Sequence, residues 1–327
     1  MEAFTEIAFG VKMNGLDCDE EHPFQSAFDR CQQTLVPRFV RPSWFWKAQR
    51  FLGVGMEGQL KQDIDVIDSI ILDILTKTIQ RCGKGTRDGK VGNDIISLFL
   101  DNMNKADDTD GRCFDPTYLR DIAVNFIIAG RDTTAQALSW FFYCLSQNKH
   151  VETKIREEVR AKLPELCKGK CSPSMDEVGE LTYVEAALRE TLRLYPSVPI
   201  VAKEAVRDTV LSDGTFIAAG STAGLPSYAL GRMPHVWGPD AADFKPERWI
   251  DVQTGKLITI SAYQFVVFNA GPRLCLGKNL TMLEMKLIVV SLLGKYHVEL
   301  ESLESVTYAV SFTLLVKGQL SAKISAI

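Results

Sequence analysis

The residue best placed to do chemistry in this chain is a cysteine in a glycine- and proline-rich loop that feeds straight into a helix, Phe268-Asn269-Ala270-Gly271-Pro272-Arg273-Leu274-Cys275-Leu276-Gly277. Backbone amides freed by the glycines and by the first turn of the helix can point at sulfur, and the helix dipole adds partial positive charge. Both favour a thiolate, which serves either as a metal ligand or as a nucleophile. A second group interrupts a long apolar segment at Ala129-Gly130-Arg131-Asp132-Thr133-Thr134. Glycine and two threonines lower helix propensity there and let a hydroxyl compete for the carbonyl four residues back, so the helix is expected to open or kink. A third is Glu190-Thr191-Leu192-Arg193, a carboxylate and a guanidinium three apart on one helix face. The same spacing recurs at Glu157/Arg160 and Glu204/Arg207, so spacing alone does not choose among them.

The elements that must position these groups are mostly helical. Leu60, Ile64, Ile67, Ile71 and Ile74 repeat at helical spacing, with Lys61, Asp63, Asp65 and Asp68 on the other face, and the helix is expected to end at Cys82-Gly83. A Gly/Lys/Arg-rich loop to about Gly92, a short helix from Asp94 and an acidic loop from Lys105 to Gly111 follow. Asp115-Pro116 reads as an N-cap with proline in the first turn of a helix reaching about Gln147, roughly 32 residues or about 48 Å. So long a helix, apolar on most of its circumference, must cross the middle of the protein. Val151, Ile155, Val159 and Leu163 mark another helix, and Leu181 to Leu194 a further one stopped at Pro196. Between 197 and 226 the period shortens to that of a small sheet, with a Ser212-Asp213-Gly214 turn between two strands. A last helix from about Lys278 to Leu293 and closing strands between Tyr308 and Val316 complete the chain.

The 327 residues are 46% hydrophobic and 24% charged, without low-complexity tracts, which suits a globular protein rather than a fibre or a disordered tail. Forty-one acids against 37 bases leave a net charge of -4, and no dense basic stripe gathers phosphates, which argues against a nucleic-acid partner. The eight cysteines form no dense disulfide framework and read as reduced thiols; Cys167 and Cys171 lack a further His or Cys pair at zinc spacing. No apolar run reaches the roughly 18 residues that spanning a membrane requires.

Phe268, Gly271, Arg273, Cys275 and Gly277 together spell F-x-x-G-x-R-x-C-x-G, which resembles the haem-binding signature of the cytochrome P-450 family. Glu190 and Arg193 stand ahead of Pro246-Glu247-Arg248-Trp249, similar to the family's E-x-x-R and P-E-R-F elements with Trp for Phe, and the order of all the motifs is the family's. The resemblance implies a mainly α fold with a small β region, spanning residues 1–327 as one partial domain. It makes Cys275 the axial ligand of haem iron, whose sulfur pushes electron density onto the metal and favours O–O cleavage. Arg273 would pair with a haem propionate, as would Lys203 in place of the more usual arginine. Glu190, Arg193 and Arg248 would form a buried ion network under the haem. Ala129 and Gly130 would leave room for dioxygen, and Asp132 and Thr133 would relay protons to it.

Ala129 to Thr134, Tyr228 to Gly238 and Phe244 to Ile250 bring the chain nearest in look to the long-chain fatty-acid ω-hydroxylase branch. The implied activity is oxygen insertion into a lipid-like substrate, a long-chain fatty acid, with Val198, Ile200 and Val201 lining an apolar cavity. Electrons would come from an NADPH-dependent reductase meeting Lys278 and Lys286 on the cysteine side. Full-length relatives are expected at the cytosolic face of the endoplasmic reticulum membrane, whereas this chain carries no anchor. Counted back from Cys275, it is expected to lack about the first third of a usual member, including one wall of the haem pocket. Two other readings share these residues: a remnant unable to hold haem, and a haem-thiolate isomerase or dehydratase of hydroperoxides, which would need no proton relay.

Overall fold

The computed structural model of the protein describes residues 5–6, 22–39, 41–83, 94, 96–98, 116–169, 172–301, 303–309, 311–318 and 320–327. The expected N-cap Asp115, Cys171 and the loops of 84–92 and 105–111 lie outside them. The fold is mainly α, with four small two-stranded antiparallel sheets, and the chain divides into two compact units, Met1–Asp132 and Thr133–Ile327.

In the first unit, α1 (Pro23–Leu35) begins with proline at its first position, and the His22 ring nitrogen Nδ1 accepts the Phe24 amide at 3.2 Å. A 3₁₀ turn (Val36–Phe39) leads to α2 (Ser43–Leu52), which closes on Gly53 in the left-handed region and is followed by α3 (Gly55–Gly83). The core joins Phe24, Ala27 and Phe28 of α1 to Leu60, Ile67, Ile71, Ile74 and Leu75 of α3 and to Leu119, Ala123 and Ile127. Burying each such side chain contributes about 1.5–3 kcal/mol. The apolar stripe of α3 departs from expectation at one turn. Ile64 is 44% exposed, while Asp63, expected on the outer face, is buried. Residue 63 lies four before Ile67 and three after Leu60, so helical geometry places it on the core face. Its burial is tolerated because Arg30 of α1 reaches it through Nε at 3.0 Å and Nη2 at 2.7 Å.

Helix α4 (Pro116–Gln147) runs 32 residues and passes from one unit into the other. It continues without interruption through 129–134, so the expected opening is not seen. In the second unit Ala137, Phe141 and Leu145 of α4 pack with α5 (Lys149–Lys162), α6 (Thr182–Leu194) and α7 (Lys278–Leu293) in one core, through Val151, Ile155, Leu188, Met285 and Val289. Trp140 donates its indole N–H to the Leu314 carbonyl at 2.6 Å and stacks on Tyr195.

Four short strands follow α6. β1 (Val201–Glu204) pairs with β4 (Thr222–Leu225), and β2 (Thr209–Val210) pairs with β3 (Phe216–Ile217). The β2–β3 turn carries Gly214 at φ +87°, and the Asp213 carboxylate accepts the Thr215 amide at 2.9 Å. After α7, β5 (Tyr296–Leu300) pairs with β8 (Ala322–Ala326), enclosing β6 (Tyr308–Ala309) and β7 (Leu315–Val316). Among the described residues no helix is long and apolar enough to cross a membrane.

Candidate active site

The cysteine loop is held by its own backbone. Phe268 ends a short 3₁₀ turn, Asn269 takes φ +63° and Gly271 φ +62°, and the Cys275 amide donates back to the Phe268 carbonyl at 2.8 Å. Cys275 is exposed, and among the described residues the two amides that follow it, of Leu276 and Gly277, have no hydrogen-bond partner. A Cβ on Gly277 would stand 3.9 Å from the Cys275 sulfur and 3.7 Å from the Thr281 hydroxyl. α7 begins at Lys278 with no side-chain cap on its first amides. Leu276, 99% exposed, and Leu274, 43% exposed, flank the thiol, apolar side chains that call for a cover. Arg273, at the same rim, makes no hydrogen bond or ion pair among the described residues.

From the loop an aromatic series, Phe268, Phe265, Trp249 and Trp237, with successive ring centres 6.3, 4.7 and 5.6 Å apart, leads to a buried ion network. At its centre the Glu190 and Arg193 side chains are wholly enclosed. Arg193 donates to both Glu190 oxygens, Nε to Oε2 at 2.8 Å and Nη2 to Oε1 at 2.7 Å. Its remaining donors go to the carbonyls of Gly231, Ala241 (2.6 Å) and Asp243 (2.9 Å). Glu190 also accepts the Trp249 indole N–H at 2.9 Å and the Lys245 amide at 2.9 Å. Arg248 Nε stands 3.4 Å from Glu190, with its other nitrogens on the Trp237 and Asp240 carbonyls at 2.7 and 2.9 Å. Charges this deep are tolerated only with every donor and acceptor matched, as here. Gly231 is needed because a Cβ there would meet the Arg193 carbonyl at 2.0 Å.

The other two Glu/Arg copies form no such pair; Glu157, Arg160, Glu204 and Arg207 are all exposed. Sequence reasoning missed the indole donor of Trp249 and the part of Asp240. Hydrogen bonds from Lys245 and Arg248 pull the Asp240 carboxyl down to about 2. The signal for Trp249 was present, since tryptophan replaces the family's phenylalanine at that position and brings an N–H that must find an acceptor once buried.

In α4, Gly130 is buried and Ala129 exposed. Asp132 is half-buried, accepts from Gln32 Nε2 and lies 3.6 Å from Arg131, whose guanidinium also pairs with Asp29. The Thr133 carbonyl accepts the Ser197 hydroxyl at 2.7 Å. Next to it the Thr134 hydroxyl is buried without a partner. Of the residues expected near substrate, Val198 and Val201 are half-buried and Ile200 is 60% exposed, packed 3.7 Å from where a Gly224 Cβ would be. Lys203 is exposed on β1 opposite Ala223, without an ion pair among the described residues.

Beside the cysteine loop lies a cleft of about 370 Å³ whose walls include Trp249, Phe265, Phe268, Lys278 and Lys286. Lys278 stands 5.9 Å over the Phe268 ring. Lys286, expected to meet a reductase, is instead buried, 2.5 Å from Glu185 and 3.2 Å from the Gly179 carbonyl, and cannot offer charge to a partner. Burial pushes the Glu185 carboxyl up, but Lys286 and Arg189 outweigh it and hold it below its ordinary 4.5. A carboxylate with a depressed pKa stabilises the fold above its unfolded value, and the contribution is lost as pH falls through the folded one. Urea midpoints are therefore expected to drop below pH 4.5, and Lys286→Met to flatten that part of the profile; an unchanged slope would refute the pairing.

Among the described residues no group of three or more His, Cys, Asp or Glu is placed to hold a metal. A metal at Cys275 must therefore bring its other ligands with it. A flat apolar macrocycle with carboxylates fits this loop: one open thiol, two free amides beside it, uncovered leucines on either side and an unpaired arginine at the rim. The comparisons agree. A family described as Cytochrome P450 matches residues 1–325. The chain is 37% identical to cytochrome P450 86B1 of Arabidopsis thaliana over 95% of its own length and 56% of the relative's. It is 35% identical to cytochrome P450 94A2 of Vicia sativa over 93% and 58%, and 36% identical to noroxomaritidine synthase 2 of Narcissus aff. pseudonarcissus MK-2014 over 85% and 53%. It thus spans a little over half the length of these relatives. With the family matched over nearly its whole length, and with a cysteine loop and a buried ion network built as described, this chain belongs to the cytochrome P450 family, whose members hold haem through a cysteine thiolate.

Proposed function

We propose that the protein is a haem-thiolate monooxygenase that hydroxylates a lipid-like substrate, a long-chain fatty acid, with dioxygen and electrons from an NADPH-dependent reductase. The observation that carries this reading is the exposed Cys275 with two unpartnered amides beside it. Haem, when bound, supplies the activation of dioxygen. Cys275 would hold it from below, with Gly277 keeping the space beside sulfur clear and Phe268 packing under the loop. Arg273 and Lys203 would take its carboxylates. Ala129 and Gly130 would leave room for dioxygen, and Thr133 and Asp132 would deliver protons as hydrogen-bonding and acid groups.

The substrate rests on likeness to the ω-hydroxylase branch and on the apolar Val198, Ile200 and Val201. A relative of equal identity whose name denotes a synthase of noroxomaritidine marks how far product can vary at this distance. The longer relatives are assigned to the endoplasmic reticulum membrane, on its cytosolic face. The test is to express residues 1–327 with haem, reduce them and add carbon monoxide. A strongly red-shifted Soret band, followed by fatty-acid turnover with a reductase, supports the reading. Haem uptake without that band would refute thiolate ligation. Turnover of a fatty-acid hydroperoxide without reductase or NADPH would favour the isomerase reading.

A further inference from the structure

An inverted helix stands out in the first unit. α2 spans ten residues, Ser-Trp-Phe-Trp-Lys-Ala-Gln-Arg-Phe-Leu, and buries none of them. At 100° per residue, Trp44, Ala48, Phe51 and Leu52 fall on one stripe, the spacing by which a helix normally faces a core. Here that stripe faces out: Trp44 is 69% exposed, Phe51 90% and Leu52 67%, and Phe39 of the preceding turn is 78% exposed. The side turned inward is the more polar one, where Phe45, Trp46 and Gln49 lie beneath Arg38 and Arg41. Leaving three large apolar side chains in water on one short helix is costly, and a contiguous patch of this kind marks a surface that something covers.

The charges identify the cover. From Val36 to Met56 the sequence holds Arg38, Arg41, Lys47 and Arg50 and no acidic residue. Arg38 is engaged by Glu57 at 2.6 Å and lies over the Trp46 ring. Arg41, Lys47 and Arg50 are exposed and make no ion pair among the described residues, although the chain as a whole is acidic. Lys47 and Arg50 border the apolar stripe, where long side chains can keep their charge at a polar boundary while the stem lies along apolar surface. Tryptophan and phenylalanine flanked by lysine and arginine on a capped amphipathic helix match the interface of a bilayer with anionic headgroups. At about 15 Å the helix is too short to span and would lie in the plane of the surface. We propose that α2 with the preceding turn is an interfacial face of this protein that docks on an anionic lipid bilayer, independently of the catalytic reading above.

The test uses the whole 327-residue chain and vesicles of phosphatidylcholine with and without phosphatidylserine, read by cosedimentation. Binding is expected to vesicles containing phosphatidylserine, and to weaken as salt rises. The triple variant Trp44→Ser, Phe51→Ser, Leu52→Ser should lose at least about 100-fold in partition coefficient. Because α2 buries no side chain, the far-ultraviolet circular dichroism and urea midpoint of that variant should match the parent. The pair Lys47→Gln, Arg50→Gln should lose about tenfold on phosphatidylserine vesicles and little on phosphatidylcholine alone. Absence of binding to phosphatidylserine vesicles, or equal binding by the folded triple variant, overturns the proposal. So does a concentration-dependent dimer that the triple variant dissolves while vesicle binding is absent, which would make the cover a second copy.

Discussion

Replacing Glu190 with alanine is expected to lower the stability of the second unit by about 3–5 kcal/mol, the cost of stranding one partner of a buried charge pair. For a domain whose net stability is typically about 5–15 kcal/mol, that is a large share of the whole. Arg193 is fully enclosed, so its guanidinium could neither reach water nor find another carboxylate. The Trp249 indole and the Lys245 amide would lose their acceptor with it. Urea unfolding followed by circular dichroism measures the loss, and a shift under about 1 kcal/mol would show that the network does not carry the load assigned to it.

A double variant sharpens the argument. Buried ion pairs can often be exchanged for well-packed apolar residues at little cost. Here Glu190→Leu with Arg193→Leu is expected to remain destabilised, because Arg193 also serves the carbonyls of Gly231, Ala241 and Asp243. Those acceptors would be left buried and unpaired. The arginine therefore acts as much as a clamp between α6 and the 231–243 stretch as it does as half of an ion pair.

Cys275→Ala is expected to have the opposite profile. The thiol is exposed and makes no side-chain contact that the fold depends on, so the urea midpoint should stay within about 0.5 kcal/mol of the parent. The thiolate-type spectrum of the reduced carbon monoxide complex should vanish entirely, because no other cysteine stands in this loop. A persisting red-shifted band in Cys275→Ala would remove the cysteine from its proposed role. Together the variants separate the two halves of the site: Glu190 acts through the fold, Cys275 through the group it would hold.

The sequence by itself determined most of the helical scaffold. Proline at 116 and the lack of any later proline before Gln147 define α4, Pro196 lies just beyond α6, and glycine at 214 turns β2 into β3, all through constraints that act within a few residues. It also determined the family, because the cysteine loop is a local string whose spacing is itself the signal. It did not reveal α1 and α2, or the pairing of β5 with β8 across 22 residues, since short segments with mixed polarity carry little periodic signal.

Only the tertiary structure decided which Glu and Arg three apart is an ion pair, since Glu190–Arg193 is set apart by what closes over it and not by spacing. Tertiary packing likewise turned Asp63 inward and Ile64 outward, because Arg30 arrives from another helix to satisfy the carboxylate. It enclosed Lys286 against Glu185, removing from the surface a cation that α7 alone would have displayed. It also turned the apolar stripe of α2 to solvent, and a stripe read from sequence is silent on which way it faces. The physical reason is common to these cases. Spacing fixes which side chains share a face, whereas burial and pairing depend on partners dozens of residues away, and only the folded chain brings those together.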